Sequence, residues 1–106
     1  KSALKVSLIQ AIDRKLGLDA IAESKGLSLK DLISELESIV ASGTRLNIAN
    51  YVNEVVDEDK QDDIYEYLRE SEVDSIADAL KELGEDQYTE EEVRLVRIKF
   101  ISEFGN

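Results

Sequence analysis

Carboxylates are the reactive groups that this sequence offers in greatest number. The 106 residues include 24 Asp and Glu but no His and no Cys. The usual general base, the imidazole and thiolate metal ligands and the thiol nucleophile are therefore missing. An enzyme built on this chain would need a mechanism that uses carboxylates alone. We predict a non-catalytic chain with no catalytic residue and no metal-ligating residue.

The densest acidic run, residues 57–63, invites comparison with a calcium-binding loop. A loop of the EF-hand type needs a glycine at its turn and a bidentate acid at its last position. In this frame Asp62 stands at the turn and Leu68 at the end. Because acidic side chains also favour the N-terminus of a helix, we interpret the run as the start of a helix.

Basic side chains that could contact phosphate surround a helix–glycine–helix pattern at residues 18–40. Gly26 would supply the tight turn after the first helix, and Ser28 would cap the second. This pattern is typical of a helix-turn-helix, whose second helix enters the major groove of DNA with its N-terminus leading. A corner of two helices that merely pack together is an equal alternative. The candidate DNA-binding residues are Arg14, Lys15, Lys25, Ser28, Lys30, Ser34 and Arg45.

The charge distribution restricts DNA contact to the first part of the chain. The net charge is −11, divided into +1 for residues 1–45 and −12 for residues 46–106. Because the second part repels phosphate, we expect DNA binding through residues 1–45 only. This binding should be weak, since Asp31 and Glu35 on the second helix of the pattern also repel phosphate. In the alternative, the acidic second part is an interaction or autoinhibitory module that docks on a basic surface.

Apolar spacing predicts an all-α fold of about six helices. With their capping residues they cover residues 3–16, 19–26, 28–43, 57–69, 72–83 and 89–104, and the five glycines are interpreted as helix stops. We predict a helix-turn-helix subdomain at 1–45, a packed connector with one helical turn at 46–56, and an acidic three-helix subdomain at 57–106. The two subdomains could form one compact domain.

The last predicted helix is apolar on more than one side, which indicates a central, buried position. Its stripe includes Phe100 and Phe104, and Val73 is expected to face inward from the helix before it. Arg94, Arg97 and Lys99 are basic residues in an acidic region. We expect them to face the acidic helix at 57–70 as intramolecular partners, rather than to form a contact patch.

Three segments together resemble the C-terminal helix-turn-helix domain found at the end of many bacterial RecQ-type DNA helicases. They are Leu18-Asp-Ala-Ile-Ala-Glu-Ser-Lys-Gly-Leu-Ser-Leu29, Gly43-Thr-Arg-Leu-Asn-Ile48 and Tyr88-Thr-Glu-Glu-Glu-Val-Arg-Leu-Val96. Their order and spacing match over nearly the whole chain. The start at Lys1, without Met, fits a piece from the end of a longer protein.

The resemblance implies an accessory domain that assists DNA engagement or domain orientation while the parent helicase unwinds DNA. It implies an upstream motor that binds ATP and Mg²⁺, and no cofactor in this fragment. The expected partners are DNA and the upstream domains of the same chain, and a basic partner protein in the alternative. No apolar stretch approaches the length of a membrane span, and the resemblance implies a bacterial cytoplasmic location at the nucleoid, with roles in repair and recombination.

Overall fold

Seven helices lie in residues 2–105, the part of the chain that this computed structural model describes, and these residues contain no strand. The helices are α1 (Ser2–Asp13), α2 (Leu18–Lys25), α3 (Leu29–Ala41), α4 (Ala49–Val55), α5 (Glu58–Glu70), α6 (Ile76–Leu83) and α7 (Glu90–Phe104). The predicted all-α fold is confirmed, with one helix more than the six expected.

Side-chain caps confirm three of the predicted helix starts. Ser28 Oγ accepts a hydrogen bond from the N–H of Asp31 at 3.0 Å, and the Asp57 carboxylate caps α5. At α7, Thr89 Oγ1 accepts from the N–H of Glu92, and the Glu92 carboxylate accepts from the N–H of Thr89. Each cap satisfies backbone donors that have no partner within the helix, so these starts are set by residues within one turn.

The junction between α1 and α2 differs from the prediction. Helix α1 ends at Asp13. The left-handed conformation that was expected at Gly17 occurs instead at Lys15, with φ 62°. Gly17 has φ −64° and is the N-cap of α2, so Asp19 lies in the first turn of α2 instead of capping it. Leu16, the last residue of the first predicted helix, is 48% exposed because the helix has already ended.

Helix α4 replaces the single turn predicted in the connector. Val52 of α4 is fully buried, and Leu46, Ile48 and Val56 of the flanking segments are also buried. The Val52 N–H donates to the Ile48 carbonyl at 3.1 Å. Burial of these apolar side chains therefore stabilises a helix whose β-branched and Asn residues give it little intrinsic propensity.

Helix α6 begins later than predicted, at Ile76, where Ser75 Oγ accepts from the N–H of Asp78 at 3.2 Å. The segment before it is not helical. Ser71 Oγ bonds to both the N–H and the carbonyl of Val73, at 3.1 and 2.9 Å. Val73 is 55% exposed, so its predicted inward position was wrong: these local bonds compete with the helix.

Helix α7 is central, as predicted, and packs against α3, α4, α5 and α6. Val93 and Val96 are fully buried. Phe100 is only half-buried and Phe104 is 60% exposed. Both rings make edge contacts with Tyr65, at centroid distances of 5.1 and 5.9 Å, so they form an aromatic cluster at the margin of the core.

The division into segments 1–45, 46–56 and 57–106 stays a prediction. Buried apolar residues from both ends of the chain, from Leu8 to Ile101, belong to one hydrophobic cluster. None of the described helices combines the length and the apolar character that a membrane span requires.

Candidate nucleic-acid interface

The turn between α2 and α3 has the geometry that the sequence predicts. Gly26 adopts the left-handed conformation with φ 68°, and its N–H bonds back to the carbonyls of Ala22 and Glu23. The Leu27 N–H donates to the Ala22 carbonyl at 2.9 Å, which completes a glycine-terminated helix end. Leu27 is half-buried and packs on the core, and Ser28 then starts α3.

The two faces of α3 divide between the core and solvent. Its buried face consists of Leu32, Ile33, Leu36, Ile39 and Val40. The side chains that are exposed to solvent include Lys30, Asp31, Ser34 and Glu35. Helices α1, α2 and α3 all contact one another, so α3 is held from behind, and its N-terminal turn is presented beside the turn at Gly26.

Three of the predicted DNA-binding residues flank this turn. Lys30 is exposed on the first turn of α3, while Lys25 Nζ donates a hydrogen bond to Ser7 Oγ of α1. Ser28 Oγ is engaged as the cap of α3. Lys30 is therefore the basic side chain at the start of α3 that is most available to contact an external anion.

Ser34 faces a neighbour within the fold. Its hydroxyl accepts a hydrogen bond from Arg94 Nη2 at 2.9 Å, and it also donates to the Lys30 carbonyl at 3.3 Å. Arg94 belongs to α7, so Ser34 marks the edge of α3 that turns from solvent towards the second part of the chain.

The other three predicted residues lie on other segments. Arg14 and Lys15 follow the end of α1, and Arg45 lies in the segment between α3 and α4. All three are exposed. Lys15 also lines a cavity of about 440 Å³ together with Tyr51 and Asn47. The structure thus gathers Lys25, Ser28, Lys30 and Ser34 along α2 and α3, and places Arg14, Lys15 and Arg45 around that unit.

The cavity beside Lys15 is a feature that the sequence pattern did not predict. Asn47, Asn50 and Asn53 line it with Tyr51. These three residues are spaced three apart, which places them on one face only if the segment is helical. Because no full helix was predicted there, the spacing did not indicate a shared site. Burial, together with the charges of Asp19, Glu91 and Glu54, raises the pKa of Tyr51, so acidic groups surround the ring.

None of the basic side chains of residues 5–45 belongs to an ion pair of the described residues. The described residues contain three ion pairs, Lys60–Glu92, Arg94–Glu37 and Arg97–Asp74. All three cations come from the second part of the chain. The cations of the helix-turn-helix are therefore available to an external anion.

The expected pairing of Arg94 and Arg97 with the acidic helix at 57–70 was wrong. Arg94 binds Glu37 of α3 through two hydrogen bonds, of 3.1 and 2.7 Å. Arg97 binds Asp74, in the segment before α6, at 2.9 and 2.7 Å. These two basic residues project from α7 towards α3 and α6 rather than α5, because α7 is surrounded by several helices.

Lys99 does reach α5, but it meets an amide there instead of a carboxylate. Its Nζ donates to Gln61 Oε1 at 2.7 Å and to Asn53 Oδ1 at 3.1 Å. Gln61 is buried and donates to Asn53 and to the Val56 carbonyl. This network joins α4, α5 and α7.

The Arg94–Glu37 pair is the most buried charged contact between the two parts of the chain. The Arg94 side chain is 9% exposed and that of Glu37 is 24% exposed. The hydrogen bonds to Glu37 raise the pKa of Arg94 against the opposing effect of burial. The pair therefore connects α3 directly to the central helix.

Comparison with known families bears on the same segment. Residues 2–52 match the family model described as the RecQ-1-like, helix-turn-helix domain. The matched segment contains α1, α2 and α3 and reaches into α4, and it includes every residue predicted to bind DNA. No curated protein matches the chain.

Proposed function

We propose that this chain is a non-catalytic accessory domain of a RecQ-like DNA helicase, and that its helix-turn-helix assists DNA engagement or domain orientation during unwinding. The observation that carries the proposal is the exposed, unpaired Lys30 at the N-terminus of α3, within the segment that matches the family. A cation at this position would meet a phosphate when the helix enters the groove.

The proposal extends to the parent protein. ATP and Mg²⁺ would be bound by an upstream motor in the bacterial cytoplasm, at the nucleoid. Among the described residues there is no cluster of His, Cys, Asp and Glu side chains that could hold a metal ion. The partners would be DNA and the upstream helicase domains of the same chain.

We expect the isolated chain to bind DNA weakly. The net charge of −11 opposes association with DNA, and Asp31 and Glu35 lie on the exposed side of α3. Tethering to a motor raises the effective concentration of the domain to the millimolar range, on the order of 1 mM, at which even weak contacts are occupied. Affinity for DNA in isolation is therefore not needed for an effect on the helicase.

The test is a titration of forked and duplex DNA with the chain at several salt concentrations. We expect a dissociation constant of about 1 µM or weaker at physiological salt, with a steep salt dependence. Lys30→Glu should weaken binding for every sequence and reduce the salt slope by about one. Lys81→Glu, which changes an exposed lysine of α6 by the same charge, is the matched control.

Two results would contradict the proposal. One is a nanomolar complex that is insensitive to salt, since phosphate contacts could not then dominate. The other is equal weakening by Lys30→Glu and Lys81→Glu, which would show that only total charge matters.

A second candidate function is docking of the acidic part of the chain on a basic surface. It is favoured by the net charge of −12 on residues 46–106, which costs stability through self-repulsion unless a partner neutralises it. A domain that docked on the DNA-binding surface of its motor would compete with DNA. Point substitutions must test this idea, because deletion of residues 57–106 would remove Val93 and Val96 from the core.

A further inference from the structure

A long groove runs between α5 and α6 on the acidic side of the molecule. One cavity, of about 690 Å³, is lined by Tyr67, Glu70 and Glu82. A second cavity, of about 330 Å³, is lined by the same three residues. Because the cavities share these side chains, they are two sections of one depression, which we call the α5–α6 groove.

The walls of the α5–α6 groove carry an excess of negative charge. Asp63, Glu66, Glu70, Asp78 and Glu82 line it, with Lys81 as the cation among the lining residues. None of these five carboxylates belongs to an ion pair of the described residues. The charge of the groove is therefore left for something outside the fold to neutralise.

The α5–α6 groove also offers apolar surface. Val73 lines the larger cavity and is 55% exposed, and the half-buried Tyr67 ring lines both sections. Ser71 and Val73 also line a neighbouring cavity of about 360 Å³, to which Leu68 and Phe100 contribute. An occupant of the groove thus meets both carboxylates and apolar side chains, with the exposed Val73 in the larger section.

We propose that the α5–α6 groove binds a lysine- or arginine-rich protein segment that carries an apolar side chain among its cations. Charge complementarity selects a cationic occupant and rejects DNA. The exposed Val73 selects an amphipathic segment over a uniform polycation, and a groove between two helices suits a helical one. This inference specifies the second candidate function and does not rest on DNA binding by α3.

The experiment uses two synthetic fluorescent peptides of about 12 residues, both made of Lys and Leu. In one the Leu residues follow helical spacing, and in the other the same residues are scrambled. The whole chain is titrated into each peptide, and binding is followed by fluorescence anisotropy. We expect tighter binding of the amphipathic peptide. Glu70→Gln with Glu82→Gln should weaken it by about tenfold, because two surface-strength charge pairs are lost.

Matched variants separate the groove from the overall charge. Glu23→Gln with Glu35→Gln removes the same charge from exposed sites on α2 and α3 and should change the affinity by less than about twofold. Val73→Asp adds a negative charge, so electrostatics alone would tighten binding. Loss of the apolar contact should instead weaken binding of the amphipathic peptide.

Three outcomes of the titrations would overturn the inference: equal affinity for the two peptides, equal effects of the groove and control pairs of substitutions, or tighter binding by Val73→Asp. Amide chemical shifts recorded with the amphipathic peptide should change along α5 and α6. Changes spread over all acidic residues would likewise refute a defined groove. DNA binding measured with Lys30→Glu is independent of all these results.

Discussion

Replacement of Arg94 by methionine tests whether the buried ion pair between α3 and α7 holds the two parts of the chain together. Methionine keeps much of the length of the side chain and removes its charge. Glu37 would lose both of its hydrogen bonds from Arg94, and Ser34 would lose a third. The carboxylate would then be left against an apolar side chain in a largely buried site.

The expected loss follows from the burial of the pair. Breaking a fully buried ion pair costs about 3–5 kcal/mol. The Glu37 side chain remains 24% exposed, so water can recover part of its solvation, and we expect a loss of about 2–3 kcal/mol. A domain of this size has a free energy of unfolding of about 5–15 kcal/mol, so the loss is readily measured by denaturant unfolding.

Arg97→Met is the matched control on the same helix. Arg97 also makes two hydrogen bonds to one carboxylate, but the side chain of its partner Asp74 is 71% exposed. We expect this substitution to cost less than about 1 kcal/mol. The contrast between the two arginines therefore reports mainly on burial, since each binds one carboxylate through two hydrogen bonds and Arg94 has one further bond, to Ser34.

A double variant supplies the refuting result. Because the cost of Arg94→Met arises largely from the charge left on Glu37, the additional change Glu37→Met should restore part of the lost stability. The reasoning fails if Arg94→Met costs less than about 1 kcal/mol. It also fails if the double variant is less stable than Arg94→Met alone.

Two further predictions concern local features of the fold. Lys15→Gly should raise the free energy of unfolding by about 0.5–1 kcal/mol, because glycine relieves the left-handed conformation at φ 62° at some cost in unfolded-state entropy; a loss of stability in denaturant unfolding would contradict this. Burial and the hydrogen bond to Asp63 raise the pKa of Tyr88 from 10.0 to about 12. The contribution of Tyr88 to the free energy of unfolding is therefore fully present below pH 10.0 and is lost as the pH rises towards about 12. Unfolding measured over this range should show a shallower fall for Tyr88→Phe than for the unchanged chain, and an unchanged slope would rule out Tyr88 as the cause.

Features that depend on a few neighbouring residues were predictable from the sequence. The caps at Ser28, Asp57 and Thr89 and the glycine turn at Gly26 were all expected and are present. Each is a hydrogen bond or a backbone preference that acts within one helical turn. The helix-turn-helix pattern consists largely of such local features, which explains why the turn at Gly26 and the helix start at Ser28 were predictable.

The missed elements are those in which local preference and packing disagree. Intrinsic propensity does not favour a helix at Ala49–Val55, yet Val52 is fully buried there. Conversely, apolar spacing predicted a helix through Val73. The chain is not helical there, and Ser71 Oγ bonds to the N–H and the carbonyl of Val73. Periodicity shows where apolar residues fall along a helix but not which neighbours bury them. Leu16 and Phe104 therefore lie within predicted helices and are still exposed.

The sequence by itself determined the helical class, most of the helix starts and the uneven charge of the two parts of the chain. Only the tertiary structure decided that Arg94 binds Glu37 and Ser34 instead of the acidic helix, and that α5 and α6 enclose a groove. The reason is physical. A cap joins residues within one turn, whereas Arg94 and Glu37 are separated by 57 residues and meet only because the packing of α3 against α7 brings them together.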